Sequence, residues 1–243
     1  MVSSVPIQRS ATVALSLQET LWPLLEATAA NLANSTTSGF KRVFTETIEA
    51  KQYSRQGGEV SYVTLSTVNH DFTPGSIRQT GNAYDIAISG DGFFQVEGGK
   101  LTQNSHFSLS VDGRILAPTG EALLNDGGGE ITIPADSKFV TISEDGTISN
   151  HNGVIGKIGV FTVQDKKTLK YGKDGYFIPQ NQPDVATNVS IHQGFVMESN
   201  VNPIEETIRL IEIQRRYEQA EKLLKESYEL ATDVVNVSSR SAV

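Results

Sequence analysis

Apolar and small side chains recur at helical spacing near the start of the chain. The i, i+3, i+4, i+7 stripe between about residues 11 and 34 predicts an amphipathic helix, made of Ala14, Leu17, Leu21, Leu24, Leu25, Ala29 and Leu32. Pro23 interrupts this pattern and removes a helical hydrogen bond, so we expect a bend or two helical pieces. The run from Ser35 to Gly39 predicts the end of the helix, because its side chains cap and its glycine accepts positive φ.

A longer helix is predicted at the other end. Asn202, Pro203 and Glu205 match an N-cap, a first-turn proline and a carboxylate three residues after the cap, and neither Gly nor Pro follows. Steps of three and four give a seam at Leu210, Ile213, Tyr217, Ala220, Leu224, Ser227, Ala231 and Val234. One alternative is a surface helix packed on its own domain. The length of the seam favours a coiled coil, for which the N-terminal stripe is a partner within the chain.

Between about residues 59 and 197 the pattern changes to short β-branched and aromatic runs. The predicted strands are 60–68, 83–88, 93–96, 115–124, 131–133, 139–143, 158–163 and 176–178. Asp-Gly recurs at 91–92, 112–113, 126–127, 145–146 and 174–175, and the pair favours type I′ hairpin turns. We therefore expect an α+β fold, with a mainly antiparallel β domain (a sandwich or irregular barrel) flanked by N- and C-terminal helices that pair as a coiled coil.

These patterns divide the chain into four segments. Residues 1–40 form an N-terminal helical arm, residues 41–75 an extended linker or β-hairpin, residues 76–197 the β domain, and residues 198–243 a C-terminal helical arm.

Composition and charge exclude several classes of protein. The 243 residues carry a net charge of −8 and are 38% hydrophobic, which suits a folded chain and argues against nucleic-acid binding. Cysteine is absent, which excludes disulfides and thiolate metal sites. No apolar run approaches the roughly 20 residues of a membrane-spanning helix, and the first residues lack the pattern of a cleaved signal peptide.

Catalytic and ligand motifs are not evident. His70, His106, His151 and His192 occur singly, without metal-ligand spacing. Glu144, Asp145 and Asp174 could be argued as paired carboxylates for glycoside hydrolysis, but their Asp-Gly context already explains the aspartates as turn formers. The glycines at 127–129 precede no helix that would present amides to a phosphate. We therefore expect no catalytic, cofactor or metal site, and no enzyme.

Three segments carry a resemblance to a known family. They resemble motifs of the bacterial flagellar rod/hook family and occur in the same order as in that family. The segments are residues 30–41 (ANLANSTTSGFK), residues 74–96 around Thr80-Gly81-Asn82, and residues 193–218 (QGFVMESNVNPIEE followed by IEIQRRYE). The segments touch both ends and the middle, so the resemblance covers essentially the whole chain. Two features depart from the family pattern: Trp22-Pro23 interrupts the first helix, and Ala30 replaces the first of two asparagines.

The resemblance implies a structural subunit of the flagellar basal-body rod, the drive shaft that crosses the periplasm. The chain's length and lack of a long insertion resemble the proximal rod, with the distal rod as the alternative. The resemblance further implies export by the flagellar type III apparatus without a cleaved signal peptide. The implied partners are further copies, other rod subunits and possibly surrounding ring proteins, with no nucleic acid and no membrane insertion. A stand-alone binding module or carbohydrate-active enzyme built on the β domain is the rival class.

The seams and the matched motifs together predict the assembly interface. An Asn or Gly at a helix end fixes the exit angle of an arm, and a polymer repeats any angular error. The predicted interface residues are Leu17, Leu21, Leu25, Asn31, Leu32, Asn34, Gly39, Asn200, Asn202, Leu210, Ile213, Gln214, Tyr217 and Leu224.

Overall fold

A helix stands at each end of an otherwise antiparallel β chain. The structure, a computed structural model, describes residues 5–53, 59–137 and 139–240, with side chains for 13–46, 67–137 and 139–233. The helices are α1 (Val5–Ala33) and α2 (Pro203–Arg240). The strands are β1 (Val43–Tyr53), β2 (Glu59–His70), β3 (Ile77–Gln79), β4 (Ile86–Gly90), β5 (Phe93–Val96), β6 (Lys100–Thr102), β7 (Ser108–Leu109), β8 (Ile115–Leu116), β9 (Thr141–Ile142), β10 (Thr147–Asn150), β11 (Gly153–Lys157), β12 (Val160–Thr162), β13 (Lys170–Tyr171), β14 (Phe177–Ile178), β15 (Asp184–Val185), β16 (Val189–Gln193) and β17 (Phe195–Met197). The predicted α+β class is confirmed.

The chain forms two compact units, and both are discontinuous in sequence. The terminal-helix unit comprises Met1–Ala33, Val43–Asp71 and Asn202–Val243. The β unit comprises Asn34–Arg42 and Phe72–Val201. The β1–β2 hairpin therefore belongs with the helices, and the segment that follows α1 belongs with the β strands. The domain boundaries expected from the sequence stay a prediction.

Helix α1 continues through Pro23 and does not divide into two pieces, while the alternative expectation of a bend stays a prediction. A proline removes one backbone hydrogen bond, and side chains on both sides of it are buried. Leu21 is 3% exposed and Thr28 is 3% exposed. The Thr28 hydroxyl also donates to the Leu24 carbonyl at 2.8 Å. Packing on both sides of the proline therefore holds the helix together.

Helix α2 begins where the sequence predicts. The Asn202 Oδ1 atom accepts from the Ile204 amide at 3.1 Å, and its Nδ2 atom donates to Glu205 Oε1 at 3.1 Å. Pro203 occupies the first helical position, where no amide is needed. The side chain of Asn202 therefore caps the helix start.

Burial along both helices follows steps of three and four residues, and we call these positions the seams. In α1 the buried and half-buried seam positions are Ala14, Leu17, Leu21, Leu24, Thr28 and Asn31. In α2 they are Glu206, Leu210, Ile213, Tyr217, Ala220, Leu224, Ser227 and Ala231; the side chain of Val234 lies outside the described residues. The two helices contact each other, and Asn31 near the end of α1 reaches Glu206 in the first turn of α2. The helices therefore run antiparallel.

The β1–β2 hairpin completes the terminal-helix unit. Its strands pair antiparallel from Val43 opposite His70 to Tyr53 opposite Glu59, with a register shift between Glu46 and Thr47. Helix α1 contacts both strands.

The β unit is built around a six-stranded antiparallel sheet and smaller antiparallel pairs. The order in the large sheet is β13-β14-β6-β5-β12-β15, and β11-β10-β9 form a second sheet. The main core joins strand residues to loop residues, among them Ile86, Phe94, Ile115, Leu123 and Ile148, all fully buried. A smaller aromatic cluster includes Phe93 and Phe177, whose ring centroids lie 5.8 Å apart.

The Asp-Gly loops do not form type I′ turns. Within the described residues only glycines have positive φ, whereas a type I′ turn needs positive φ at its aspartate as well. Instead, loops 110–114, 143–147 and 172–176 share one hydrogen-bond pattern, in which the fourth-position glycine donates back to the first residue. Loops 117–121 and 125–129 repeat this pattern with Gly120 and Gly128. This is a turn closed by a left-handed glycine, which spares the aspartate an unfavourable conformation.

Two predicted strands are also shorter than expected. Of residues 115–124 only Ile115–Leu116 form a strand, and residues 131–133 contribute a single bridge, at Thr132. Pro118 and the loop closed by Gly120 interrupt the first run. The apolar side chains of both runs are nevertheless core residues, because burial does not require a continuous ladder. No helix among the described residues has the length and apolar character needed to cross a membrane.

Candidate assembly site

The loop that follows α1 is held inside the β unit by backbone and hydroxyl contacts. Ser38 Oγ donates to the Met197 carbonyl at 2.9 Å and accepts from the Ser105 amide at 3.1 Å. The Gly39 amide donates to the same Met197 carbonyl at 2.9 Å. Gly39 has φ of +70°, and a Cβ there would lie 2.0 Å from the Gln103 carbonyl oxygen. The close approach and the left-handed backbone both require glycine.

Lys41 and Asn200 tie the same loop to the segment before α2. Lys41 is 2% exposed, and its Nζ atom donates to the Thr73 carbonyl at 3.1 Å. Asn200 Oδ1 accepts from the Arg42 amide at 2.7 Å, and its Nδ2 atom donates to the Thr73 carbonyl at 3.0 Å. Lys41 Nζ also lies 3.6 Å from Met197 Sδ. Residues 38–42 therefore bind residues of the C-terminal motif directly, 156 to 159 positions apart.

Asn31 and Glu206 form a buried polar contact within the terminal-helix unit. Asn31 is 1% exposed and Glu206 is 2% exposed. Asn31 pairs with both backbone groups of Val43: its Nδ2 atom donates to the carbonyl at 2.8 Å, and its Oδ1 atom accepts from the amide at 2.7 Å. The Nδ2 atom also lies 3.3 Å from Glu206 Oε2. One amide side chain therefore joins the end of α1, the start of β1 and the first turn of α2.

The predicted interface residues fall into three groups. Leu21, Asn31, Gly39 and Ile213 are buried within the chain, whereas Asn202 and Gln214 are exposed. The half-buried ones are Leu17, Leu25, Leu32, Asn34, Asn200, Leu210, Tyr217 and Leu224. Most of these side chains therefore serve contacts within one chain, and their part in contacts between subunits stays a prediction.

A charged cluster in the β unit surrounds Glu121. Lys100 Nζ lies 3.2 Å from Glu121 Oε1 and 2.7 Å from Asp174 Oδ2, and the Tyr176 hydroxyl donates to Glu121 Oε2 at 2.9 Å. Burial by itself raises the pKa of Glu121, but hydrogen bonds from Thr119, Tyr176 and Lys100 outweigh it and lower the pKa to about 2. Burial, reinforced by Glu121, raises the pKa of Tyr176 to about 12, so this hydroxyl remains a donor. The cluster braces the 117–121 loop against the 172–176 loop.

The residues considered for chemistry are dispersed or bound locally. His106 Nδ1 lies 2.9 Å from Asp85 Oδ1, and Asp145 binds the amide and hydroxyl of Thr147 in its own turn. No group of three or more His, Asp or Glu side chains that could hold a metal ion occurs among the described residues.

Comparison with known proteins places this architecture in a family. Residues 87–150 match the model of the flagellar hook protein FlgE/F/G D1 domain, and residues 192–237 match that of the flagellar basal body rod FlgEFG protein C-terminal region. The chain is 37% identical over 234 residues to the flagellar basal-body rod protein FlgF of Caulobacter vibrioides, covering 92% of this chain and 95% of that protein. It is 31% identical to FlgF of Mesorhizobium japonicum, covering 91% and 94% of the two chains. It is 26% identical to the rod protein FlgG of Bacillus subtilis, covering 88% and 92%.

The chain belongs to the flagellar basal-body rod protein family. The resemblance drawn from the three motifs is therefore confirmed, as is the role of a structural subunit of the proximal rod, since identity to FlgF exceeds identity to FlgG. The family match also gives the motifs a structural meaning. The N-terminal motif of a rod protein supplies Asn31 to the terminal-helix unit and Ser38 to Lys41 to the β unit.

Sequence reasoning missed several residues that hold this rod protein together. Ser38, Lys41, Thr73, Ser105 and Glu206 were not among the predicted interface residues, although their contacts link distant segments. Glu206 had a usable signal, because it falls on the α2 seam at seven residues before Ile213. Ser105 had none, because an isolated serine in a β region has no distinguishing pattern.

Proposed function

We propose that this chain is a non-enzymatic subunit that assembles through its terminal helices into the helical rod crossing the periplasm. The observation that carries the proposal is the 37% identity to a rod protein over 92% of the chain. The strongest support from the geometry is the pair of seams, which occupy one side of each helix.

The two helices of the proposed subunit pair as an antiparallel coiled coil. Steps of three and four residues along both seams suit knobs-into-holes packing. Asn31 and Glu206 add a polar contact at one end, and a buried polar contact of this kind specifies register in coiled coils. The pair then acts as one rigid building block.

Exported chains reach the rod through the flagellar type III apparatus, without a cleaved signal peptide. In the rod they contact further copies, other rod subunits and the ring proteins around the shaft. Membership of the rod family supports these proposed partners. The alternative position, in the distal rod, is disfavoured by the lower identity to FlgG.

The proposal is tested by deleting the gene in its host, with swimming and electron microscopy of isolated basal bodies as readouts. We expect non-motile cells whose basal bodies lack a complete rod, and rescue by the intact gene. A short incomplete rod at the motor side indicates that the subunit belongs to the proximal rod, and a longer incomplete rod indicates the distal rod. Normal swimming with complete rods would overturn the proposal.

A further inference from the structure

One exposed hairpin tip in the β unit carries an asparagine followed by a glycine. Strands β10 and β11 meet in a two-residue turn, His151 and Asn152, across which Asn150 pairs with Gly153. Residues 151–154 are all exposed. In the whole sequence only Asn152 precedes a glycine. Asparagine is among the thermolabile residue types of proteins, so this tip is a candidate site of chemical modification.

Glycine at the next position leaves the asparagine side chain access to the backbone. A Cβ added at Gly153 would meet nothing within 4 Å, and its φ of +128° lies in the region that glycine adopts readily. Any other residue would place a side chain beside the nitrogen of residue 153. Connecting turns are also more mobile than the strands that they join. The Gly153 nitrogen can therefore reach the side-chain carbonyl carbon of Asn152.

The reaction that this arrangement permits needs only water. The Gly153 nitrogen bonds to Cγ of Asn152, the bond from Cγ to Nδ2 breaks, and the proton of the Gly153 amide leaves with Nδ2 as ammonia. Water then adds to either carbonyl of the cyclic imide and opens the ring. One opening gives aspartate, and the other gives isoaspartate, in which the main chain runs through the side-chain carboxyl carbon. No oxidant, reductant or enzyme takes part.

The neighbouring Asn150 lacks these conditions, although it lies in the same hairpin. It is half-buried and precedes a histidine. Its Nδ2 atom donates to Ser137 Oγ at 2.8 Å, and its Oδ1 atom accepts from the Asn152 amide at 2.8 Å, so both ends of the side chain are held. Asn152 Nδ2 donates to Asp136 Oδ2 at 3.1 Å, a contact between exposed groups that holds the side chain weakly. The hairpin therefore offers one reactive asparagine and a matched unreactive one.

We propose that Asn152 is a site of spontaneous modification, at which the folded chain converts a neutral amide to a carboxylate by attack of the Gly153 nitrogen. The product is an aspartate or isoaspartate at position 152, formed without an enzyme. This inference goes beyond the proposed function and does not depend on it, because the reaction requires only the hairpin tip and water.

The conversion breaks the contact between the hairpin tip and the segment before β9. The product at position 152 has no amide to donate to Asp136, and it places a second negative charge beside that carboxylate. The net charge of the chain becomes one unit more negative than −8. In the isoaspartate product the main chain is one carbon longer in the turn, which disturbs the pairing of Asn150 with Gly153. We therefore expect the modified hairpin tip to separate from residues 136–137.

Mass spectrometry of the incubated chain tests the reaction. The purified full chain is kept in a mildly alkaline buffer, which favours loss of the Gly153 amide proton, and is then digested with trypsin beside a freshly purified sample. Residues 139–157 form one tryptic peptide that contains both asparagines of the hairpin. We expect this peptide to gain about 1 Da at Asn152, as a mixture of aspartate and isoaspartate, at a rate at least several-fold above that at Asn150.

Two controls make the outcome decisive. Asn152→Gln retains the amide but would have to form a larger ring, so we expect no gain in mass at position 152. The chain unfolded in urea reports the reactivity of the same pair without the hairpin. Conversion in urea but not in the folded chain would overturn the proposal, since the fold would then protect Asn152. Equal rates at Asn150 and Asn152, or an unchanged mass at Asn152 in both samples, would also overturn it.

Exchange of the two contacting side chains tests the structural consequence. Asn152→Asp reproduces the aspartate product, and we expect amide hydrogen exchange at the hairpin tip to become about two- to ten-fold faster, because one hydrogen bond is lost. The double variant Asn152→Asp with Asp136→Asn places an amide opposite a carboxylate again, so the exchange rate should return towards that of the unmodified chain. A double variant that exchanges as fast as Asn152→Asp alone would contradict the role of the contact.

Discussion

At the residue scale, single side chains hold segments that are far apart in sequence. Gly39 lies against the backbone of Gln103, and Ser38 lies between Ser105 and Met197. Glycine is the only residue that fits at position 39 without moving a neighbouring backbone. The rod-family motif after α1 is therefore a folding requirement of the β unit.

Gly39→Ala should lower the free energy of unfolding of the β unit by about 2–4 kcal/mol, because it adds backbone strain and displaces Gln103. The matched control is Gly81→Ala, where φ is +77° but an added Cβ meets nothing within 4 Å. There we expect a loss of about 1–2 kcal/mol from the backbone alone. Chemical denaturation of the full chain measures both variants, and equal losses would contradict the close approach at Gly39.

Asn31→Asp should destabilise the terminal-helix unit by about 1–3 kcal/mol, because it replaces a donor by a carboxylate close to Glu206. Asn34→Asp is the control, since it retains the Oδ1 acceptor used by the Thr37 hydroxyl. Amide hydrogen exchange of α1 and α2 in the full chain measures the loss. Equal protection of the two variants would show that the Asn31 amide does not stabilise the helix pair.

The Glu121 cluster predicts a dependence of stability on pH. Its folded pKa of about 2 lies below the ordinary value of 4.5, so its contribution is complete above about pH 4.5 and is lost as the pH falls towards 2. Glu121→Gln should cost about 1–2 kcal/mol at neutral pH and progressively less below pH 4.5. Urea unfolding from pH 7 to pH 2.5 tests this, with exposed Glu97→Gln as control. A loss that does not change with pH would contradict the role of the carboxylate.

At the element scale, periodicity predicted the helices better than it predicted the strands. The cap at Asn202 and the α2 seam could be predicted because both depend on residues within a few turns of each other along the chain. Pro23 does not divide α1 into two pieces, because packing of the buried side chains on both sides of it outweighs one lost hydrogen bond. The Asp-Gly pairs located the turns, but the turn type depends on the φ angle of the aspartate, which the dipeptide alone does not fix.

The contacts of the candidate site were harder to predict than the elements that carry them. Asn31, Gly39 and Asn200 were selected from family motifs, and each makes a contact that ties distant segments. Thr73, which accepts from Asn200, and Gln103, which lies against Gly39, are in loops without periodicity, and a tertiary contact between two loops leaves no spacing in the sequence.

At the scale of the whole molecule, the chain alternates between its two units. The segment Asn34–Arg42 lies in the β unit, although it is separated by the hairpin from the rest of that unit in sequence. Limited proteolysis of the full chain should therefore leave a protected core that ends near Val201 and retains residues 34–42, even after cleavage within the hairpin. Mass spectrometry of the purified core measures this. Release of residues 34–42 together with α1 would contradict the assignment of this segment to the β unit.

The central claim is that the seams pair the two terminal helices and that this pair assembles the subunit into the rod. The most direct test is Leu224→Asp in the deletion strain, with the purified basal bodies probed for the chain. Leu224 is a half-buried seam position, and its neighbour Leu223 is 53% exposed and lies outside the α2 seam, so Leu223→Asp is the matched control. We expect Leu224→Asp to be absent from basal bodies with the melting of its β unit unchanged, and Leu223→Asp to assemble and swim. Normal incorporation of Leu224→Asp, or loss of its β-unit melting, would contradict the account.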